Sequence, residues 1–111
     1  MNQNTVKFNL YNTHYQDPAG LEDDGDYTTP LDLTRLASAA LENKTFANIV
    51  ATKEIEISDL TGTNKYLLKN LNKLLGVGGV NGIKTGTTTE AGQVLVTSRE
   101  DLDSSGNKHT L

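Results

Sequence analysis

The sequence of 111 residues contains no cysteine and no tryptophan. The absence of cysteine excludes disulfide scaffolds, thiol catalysis and cysteine-ligated zinc within these residues. No apolar run approaches the roughly 18 residues that a membrane-spanning helix needs, and the first ten residues, MNQNTVKFNL, lack the apolar stretch of a signal peptide. With 35% hydrophobic and 5% aromatic residues, the sequence predicts a single small domain with a modest core.

Positive charge is also scarce. The net charge is −4, the isoelectric point is about 5.0, and the lysines are spread along the chain rather than clustered. Nucleic-acid partners need a basic surface, so we expect no nucleic-acid function. No residue pattern calls for a cofactor.

Residues 1–52 are expected to be mainly helical and loop. Thr29 is a candidate N-cap, Pro30 suits the first helical position, and the Asp32 carboxylate is placed to reach back as in a capping box. An apolar stripe at helical spacing follows and is expected to lie in the core; it consists of Leu33, Leu36, Ala37, Ala40 and Leu41.

Two weaker helical segments flank this helix. Met1, Val6 and Leu10 have loosely helical spacing, and residues 46–50 predict a short apolar helix after Asn43 and Lys44 weaken the pattern. Residues 11–28 are rich in turn formers.

From residue 53 the period changes to that of strands. KEIEIS alternates polar and apolar residues as a half-buried strand does, DLTGT is a turn, and NKYLLKN is its expected partner. NGIKTGT, GQVLVTSR and KHTL are further candidate strands, with DLDSSGN as the turn between the last two, and the sequence stops at Leu111 within the last of them. Residues 53–111 therefore predict antiparallel strands, and the chain as a whole predicts an α+β arrangement in a single partial domain.

The glycine-rich stretch GVGGVNGIKTGTT, residues 76–88, invites comparison with a phosphate-binding loop. That motif needs Gly directly followed by Lys and then a helix, whereas Ile83 separates Gly82 from Lys84 and β-forming residues follow. Phosphate binding is therefore excluded, and the glycines are expected to be turn residues that lead into a strand.

Metal binding is also disfavoured. Asp101, Asp103 and Ser105 before Gly106 resemble the first half of a calcium loop, but a bidentate acid at the twelfth position is missing. A polar hairpin turn explains the same residues. The acidic group around Glu22 lacks ligand spacing and is interpreted as a solvated loop.

His14 and His109 stand far apart in the sequence and have no evident cysteine or carboxylate partners. We interpret both as surface or packing histidines.

The Lys84-Thr85-Gly86 triplet is the remaining candidate site. On an edge strand, Lys84 would project an ammonium group, Thr85 would lie on the other face, and Gly86 would let a ligand approach the backbone. The hydroxyls of Thr87 and Thr88 follow. Such an edge can accept a peptide as an added strand and bind its carboxylate.

The surroundings of this triplet resemble one family. NLNKLLGVGGVNGIKTGTTTEAGQVLVTS is similar to the KTG region of the serine D-alanyl-D-alanine carboxypeptidases, the low-molecular-mass penicillin-binding proteins, where N-x-N-x-L-L precedes the KTG strand and E-A-G follows it. Upstream, NTHYQDPAGL and YTTPLDLTRLASAAL are similar to N-T-H-F-x-N-P-x-G-L and Y-S-T-x-x-D-L-x-x-L-A-x-x-A-L. The resemblance runs in order along nearly the whole chain.

This resemblance implies a partial penicillin-binding, transpeptidase-like fold, an extracytoplasmic location in the cell envelope, and peptidoglycan stem peptides or β-lactams as ligands. In the family a Ser-x-x-Lys motif supplies nucleophile and base, a Ser-x-Asn motif assists, and KTG helps to bind the substrate carboxylate. The backbone N–H of Thr87 would then be an oxyanion donor. Members usually carry His or an aromatic residue at this place, so Thr87 is a departure that bears on substrate preference.

The other two motifs are missing from the residues before KTG. No serine before Lys84 is followed by Lys three residues later. Ser105-Gly106-Asn107, with Lys108 after it, matches the residue types of both motifs but lies in the hairpin turn after KTG, on the wrong side for either. We expect part of a catalytic domain that is inactive alone and that self-associates through uncovered strands. Two alternatives stay open: a non-catalytic module that binds a peptide or partner through the strand edge, and a folded remnant without activity.

Overall fold

Helices precede strands along the chain. The structure, a computed structural model, describes residues 1–21 and 23–110. Within them the helices are α1 Asn2–Lys7, α2 Pro30–Leu41 and α3 Lys44–Val50, and the strands are β1 Glu54–Ser58, β2 Lys65–Lys69, β3 Val80–Thr88, β4 Gly92–Leu102 and β5 Lys108–Thr110. This order confirms the predicted α+β arrangement. Glu22 of the predicted acidic loop and Leu111 of the last predicted strand lie outside the described residues.

None of the helices in the described ranges has the length and apolar character that crossing a membrane requires.

The start of α2 shows one correct expectation and one error. The Thr29 hydroxyl accepts a hydrogen bond from the Asp32 backbone N–H at 3.2 Å, which confirms the N-cap. The Asp32 carboxylate, predicted to reach back along the helix, instead accepts from Asn12 N–H at 2.8 Å and from the Thr13 hydroxyl at 2.9 Å. Arg35 pairs with it at 3.3 Å, and the Asp32 side chain is 1% exposed. A buried carboxylate therefore joins α2 to the segment that follows α1.

The strands form two antiparallel sheets. β1 pairs with β2, as predicted, and the second sheet has the order β3-β4-β5. β4 continues to Leu102, beyond the predicted end at residue 99, because the hairpin turn occupies residues 103–107. Val80 pairs with Arg99 and Gly82 with Ser98, which places an irregularity in the register at the start of β3.

The predicted core is only partly formed. The expected α2 stripe is half-buried along its length, and the buried apolar side chains in the described ranges are Leu10 and Leu75. Buried polar groups are more numerous: Thr5, Thr13, Asp32, Asn72 and Ser98. Too little apolar surface of the described residues covers the apolar stripe of α2. Hydrogen bonds between segments therefore hold the helices and strands in their positions.

The hairpin formed by β1 and β2 departs furthest from expectation. The register places Ile55 opposite Leu68 and Ile57 opposite Tyr66, so the four share one face. They are 44–53% exposed. The prediction that β1 is half-buried is wrong, because every residue of β1 is exposed.

The buried Asp32 carboxylate generates the first prediction. Asp32→Ala leaves the Asn12 and Thr13 donors without their acceptor and removes the Arg35 partner, so we expect the free energy of unfolding to fall by about 2–4 kcal/mol. Urea denaturation followed by circular dichroism measures this, with Thr13→Val as a milder variant. Asp24→Ala, in the exposed part of the loop, is the control and should cost less than about 0.5 kcal/mol. Equal effects at residues 24 and 32 would contradict the assigned role.

The exposed hairpin face generates the second prediction. An apolar face on a short sheet with free edges favours association, so the average mass in light scattering should rise with protein concentration. Leu68→Lys should reduce this rise, whereas Leu67→Lys, on the opposite face of the same strand, should reduce it less. A concentration-independent monomer would disprove the expected self-association.

Candidate functional site

The KTG triplet lies on an edge strand, as predicted. β3 is the first strand of its sheet and pairs with β4, so that Lys84 lies opposite Val96, Thr85 opposite Leu95 and Gly86 opposite Val94. In the described part of the chain no strand lies along its other edge. Alternate backbone N–H and C=O groups on that edge are therefore available to another chain.

The side chains of β3 alternate in environment. Lys84 is exposed, and its ammonium group donates to the Thr85 carbonyl, whereas the Thr85 side chain is half-buried. A Cβ added to Gly86 would meet no atom within 4 Å, so the space beside this backbone is open, as expected. Thr87 is exposed, and the Thr88 hydroxyl accepts from Ala91 N–H at 3.1 Å. The triplet thus offers a cation and hydroxyl groups beside an open backbone.

A groove of about 830 Å³ runs along the triplet and is called the KTG groove here. Residues 84–87 of β3 and 93–95 of β4 form its floor, and residues 71–74 form a wall. Its side chains combine the Lys84 ammonium with leucine and valine carbons. This surface suits a ligand with a carboxylate and small apolar groups.

The glycines before the triplet have two different roles. Gly76, Gly78 and Gly79 have φ values of 83°, 57° and 83°, which confirms them as turn residues. Gly82 is different: a Cβ there would stand 3.0 Å from Val50 Cγ2. The expectation that all these glycines form turns is wrong for Gly82, whose lack of a side chain lets α3 pack against β3.

Two asparagines fix β3 and were not predicted to do so. Asn72, 6% exposed, donates from Nδ2 to the Gly82 carbonyl at 3.0 Å. Asn70 donates from Nδ2 to the carbonyls of Val50 and Thr52 at 3.3 and 3.1 Å, and its Oδ1 accepts from Asn72 N–H. The Asn-x-Asn spacing of NLN marks these two residues in the sequence. The carbonyls to which their side chains donate lie 10 to 20 residues away in the chain.

The hairpin turn predicted over DLDSSGN, residues 101–107, is confirmed at residues 103–107, whereas residues 101 and 102 belong to β4. Asp103 accepts from the backbone N–H groups of Ser105 and Asn107, both at 2.8 Å, and lies 3.0 Å from His109 Nε2. The hydrogen bond with His109, followed by those from Asn107, lowers the pKa of Asp103 to about 2. These bonds therefore stabilise the turn above the usual aspartate pKa of 3.8 and are lost as the pH falls through about 2.

The predictions for the two histidines have different outcomes. The view that His109 has no carboxylate partner is wrong, because Asp103 is that partner. His14 is a packing residue, as predicted: its Nδ1 lies 2.9 Å from the Gly25 carbonyl and its ring stacks on Tyr27 at 5.9 Å. Across the described ranges no three His, Asp or Glu side chains are grouped closely enough to hold a metal ion.

Comparison with known proteins gives a consistent result. Residues 1–105 match the peptidase S11 family, described as D-alanyl-D-alanine carboxypeptidase. The chain is 37% identical over 101 residues to the D-alanyl-D-alanine carboxypeptidase of Streptomyces sp. strain K15, covering 86% of this chain and 35% of that protein. It is 32% identical over 99 residues to DacF of Bacillus subtilis, covering 88% of this chain and 25% of the relative.

Solved structures agree. The Streptomyces K15 DD-transpeptidase superposes with a TM-score of 0.81 at 36% identity, over 88% of this chain and 39% of that one. Penicillin-binding protein 5 from Haemophilus influenzae gives 0.77 at 28% identity, over 96% of this chain and 30% of that one. The chain thus spans a quarter to two fifths of these relatives, and it has the penicillin-binding fold over this part.

The buried Asn72 generates a prediction for the site. Asn72→Leu leaves the Gly82 carbonyl and the Leu74 N–H without their partners, so the free energy of unfolding should fall by about 1–3 kcal/mol. Hydrogen exchange of the β3 amides should accelerate more than that of β2. Asn48→Leu, on the exposed face of α3, is the matched control. Unchanged exchange in β3 would show that Asn72 does not hold the strand.

Proposed function

The chain belongs to the D-alanyl-D-alanine carboxypeptidase family, and we propose that it carries the substrate-binding edge of a serine enzyme that cleaves the terminal D-alanine from peptidoglycan stem peptides. The observation that supports this most directly is the position of Lys84-Thr85-Gly86 on an open sheet edge beside the KTG groove. Stem peptides are part of the cell wall, so the proposed place of action is the cell envelope.

Each residue has a proposed role in that reaction. Lys84 and Thr85 start on opposite faces of β3 but both line the KTG groove at its open edge. The Lys84 ammonium attracts the terminal carboxylate there, and the Thr85 hydroxyl donates a hydrogen bond to it. Gly86 leaves room for the peptide backbone beside the strand. The Thr87 N–H is an oxyanion donor for the tetrahedral intermediate, and Thr88 closes the strand end through its bond with Ala91.

The covalent steps need groups that these 111 residues do not supply. A serine activated by a lysine three residues later attacks the peptide carbonyl, releases D-alanine and forms an acyl-enzyme, which water then hydrolyses. No Ser-x-x-Lys precedes Lys84 in this sequence. The one that occurs, Ser105 to Lys108, lies at the turn between β4 and β5, and its Lys108 pairs with Glu100 at 2.9 Å. We therefore propose that the chain alone forms no acyl-enzyme, because an oxyanion site accelerates nothing without an attacking group.

A chimera tests this function. This chain replaces the matching segment of the Streptomyces relative, which is then treated with a fluorescent penicillin. We expect a covalent fluorescent band with the chimera and none with the 111-residue chain alone. In the chimera, Lys84→Ala and Thr85→Val should each slow labelling by about 10- to 100-fold, since a charge-assisted hydrogen bond contributes about 1.5–3 kcal/mol.

Matched controls keep the result interpretable. Lys69→Ala on β2 and Thr97→Val on β4 remove the same groups from exposed strand positions and should leave the labelling rate unchanged. A band on the chain alone would disprove the proposed inactivity. A folded chimera that is never labelled would instead support a non-catalytic binding module.

A further inference from the structure

Asn81 and Gly82 form the one Asn-Gly pair of the sequence, and they lie near the start of the KTG strand. Glycine has no Cβ, so the backbone at this residue bends more easily and its nitrogen is less shielded than at other residues. The side-chain carbonyl of an asparagine that precedes glycine can therefore be reached by the next backbone nitrogen. Intramolecular deamidation needs this approach.

The reaction uses only this pair and water. The Gly82 nitrogen loses its proton to the solvent and attacks Asn81 Cγ, so that a carbon–nitrogen bond forms. The side-chain nitrogen takes a proton from the solvent and leaves as ammonia. Water then opens the cyclic imide. Its attack at Cγ gives aspartate in a normal backbone, whereas its attack at the main-chain carbonyl gives isoaspartate, in which the backbone runs through Cβ and Cγ and is one atom longer.

The pair lies at an irregularity in the pairing of β3 with β4. Val80 lies opposite Arg99 and Gly82 opposite Ser98, so Asn81 is an extra residue between two consecutive residues of β4. Such a bulge interrupts the regular hydrogen bonds between the two strands. Local opening at this point therefore costs less free energy than opening in a regularly paired part of the sheet.

A hydrogen bond between side chains opposes the reaction in the closed strand. Ser98 is 2% exposed, and its hydroxyl donates to Asn81 Oδ1 at 2.7 Å. This bond holds the Asn81 side chain toward β4, whereas the attack requires its amide carbon to turn back to the backbone of β3. The Gly82 carbonyl is held as well, by Asn72 Nδ2 at 3.0 Å. The pair therefore reacts after local opening rather than in the closed strand.

Isoaspartate at residue 81 would disturb the KTG edge. Its longer backbone lies directly before Gly82, where an added Cβ would stand 3.0 Å from Val50 Cγ2 and 3.3 Å from Ser98 Oγ. These contacts leave little room for a displaced backbone. The extra length must therefore move Gly82 or the residues that follow it, and Lys84 is two residues further on.

From these contacts we propose that Asn81 is a site of spontaneous deamidation, that the Ser98 hydroxyl protects it, and that its conversion to isoaspartate disables the KTG edge. The reaction at residues 81 and 82 is independent of the proposed function. Its effect on carboxylate binding rests on that function, which places the carboxylate at Lys84.

Peptide mapping by mass spectrometry tests the modification site. The chain is kept in mildly alkaline buffer, in which the attacking nitrogen loses its proton more readily, and is digested with trypsin at intervals. Cleavage after Lys73 and Lys84 releases residues 74–84, in which Asn81 is the one side-chain amide. We expect this peptide to appear in two modified forms of equal mass, aspartate and isoaspartate, and urea to accelerate the appearance of both. A peptide that stays unmodified even in urea would disprove the site.

Variants separate local from global protection. Ser98→Ala should accelerate deamidation about fivefold, since the loss of one neutral hydrogen bond shifts an opening equilibrium by about this factor. Thr97→Val, at the exposed neighbouring position of β4, should leave the rate unchanged. Thr13→Val, which removes a buried hydroxyl bond to Asp32, should accelerate deamidation less than Ser98→Ala does. Equal acceleration by Thr13→Val and Ser98→Ala, or none by Ser98→Ala, would overturn the protective role of Ser98.

The chimera described above tests the consequence for the KTG edge. After storage in the same alkaline buffer, it should be labelled by the fluorescent penicillin more slowly as the isoaspartate fraction grows. Asn81→Gln, whose longer side chain does not form the same imide, should lose no labelling rate during storage. Freshly prepared Asn81→Asp, which keeps the backbone length and an oxygen for Ser98, should be labelled at the rate of the unaltered chimera.

The outcomes are distinguishable. Constant labelling despite isoaspartate at residue 81 would overturn the effect on the KTG edge and leave the proposed function intact. A fresh chimera that is folded but never labelled would count against the proposed function, and the effect on binding would fall with it. The deamidation of Asn81 would stand in either case, because peptide mapping measures it without any ligand.

Discussion

The close approach of α3 to β3 at Gly82 is the constraint on which the binding edge depends. A Cβ at this residue would stand 3.0 Å from Val50, closer than ordinary carbon contacts, so only glycine lets the helix and strand meet without displacement. Asn72 bonds to the carbonyl of the same glycine, and Asn70 bonds to the carbonyl of Val50. α3, the segment of residues 70–72 and β3 are therefore joined close to Gly82, which lies two positions before Lys84.

A second anchor holds the other side of the candidate site. The buried Asp32 carboxylate bonds to Asn12 and Thr13, and His14 follows directly and bridges to Tyr27. The position of the stacked His14 and Tyr27 rings is thus tied to α2 through one carboxylate and to α1 through Asn2. Both anchors use hydrogen bonds to backbone groups, which are directional and fix positions more closely than the half-buried apolar stripe of α2 can.

Local patterns explain what the sequence could predict. Thr29 and Pro30 mark the start of α2 because capping chemistry is local, and alternation in KEIEIS and NKYLLKN marks the β1–β2 hairpin because strand period is local. The long-range partners of Asp32, Asn72 and Gly82 could not be predicted, since Asn12, Gly82 and Val50 lie 20, 10 and 32 residues away from them in the chain. The KTG edge was identified through resemblance and sequence order, whereas the groove beyond the end of β3 unites residues 14, 27 and 88, which no local pattern connects.

The same distinction bears on how the proposed binding and catalysis are divided along the fold. The proposed carboxylate site uses a strand edge, a lysine and a glycine from one stretch of nine residues, β3, which two asparagines hold. Acyl transfer additionally needs a nucleophile placed within hydrogen-bond distance of its base and aimed at the Thr87 N–H. That placement requires another segment to pack against the sheet. The KTG groove floor, formed by β3 and β4, is open to such a segment, because the described residues that wall it, 71–74, cover only one side. The proposed recognition of the carboxylate is thus local to this part of the fold, whereas acyl transfer depends on long-range packing.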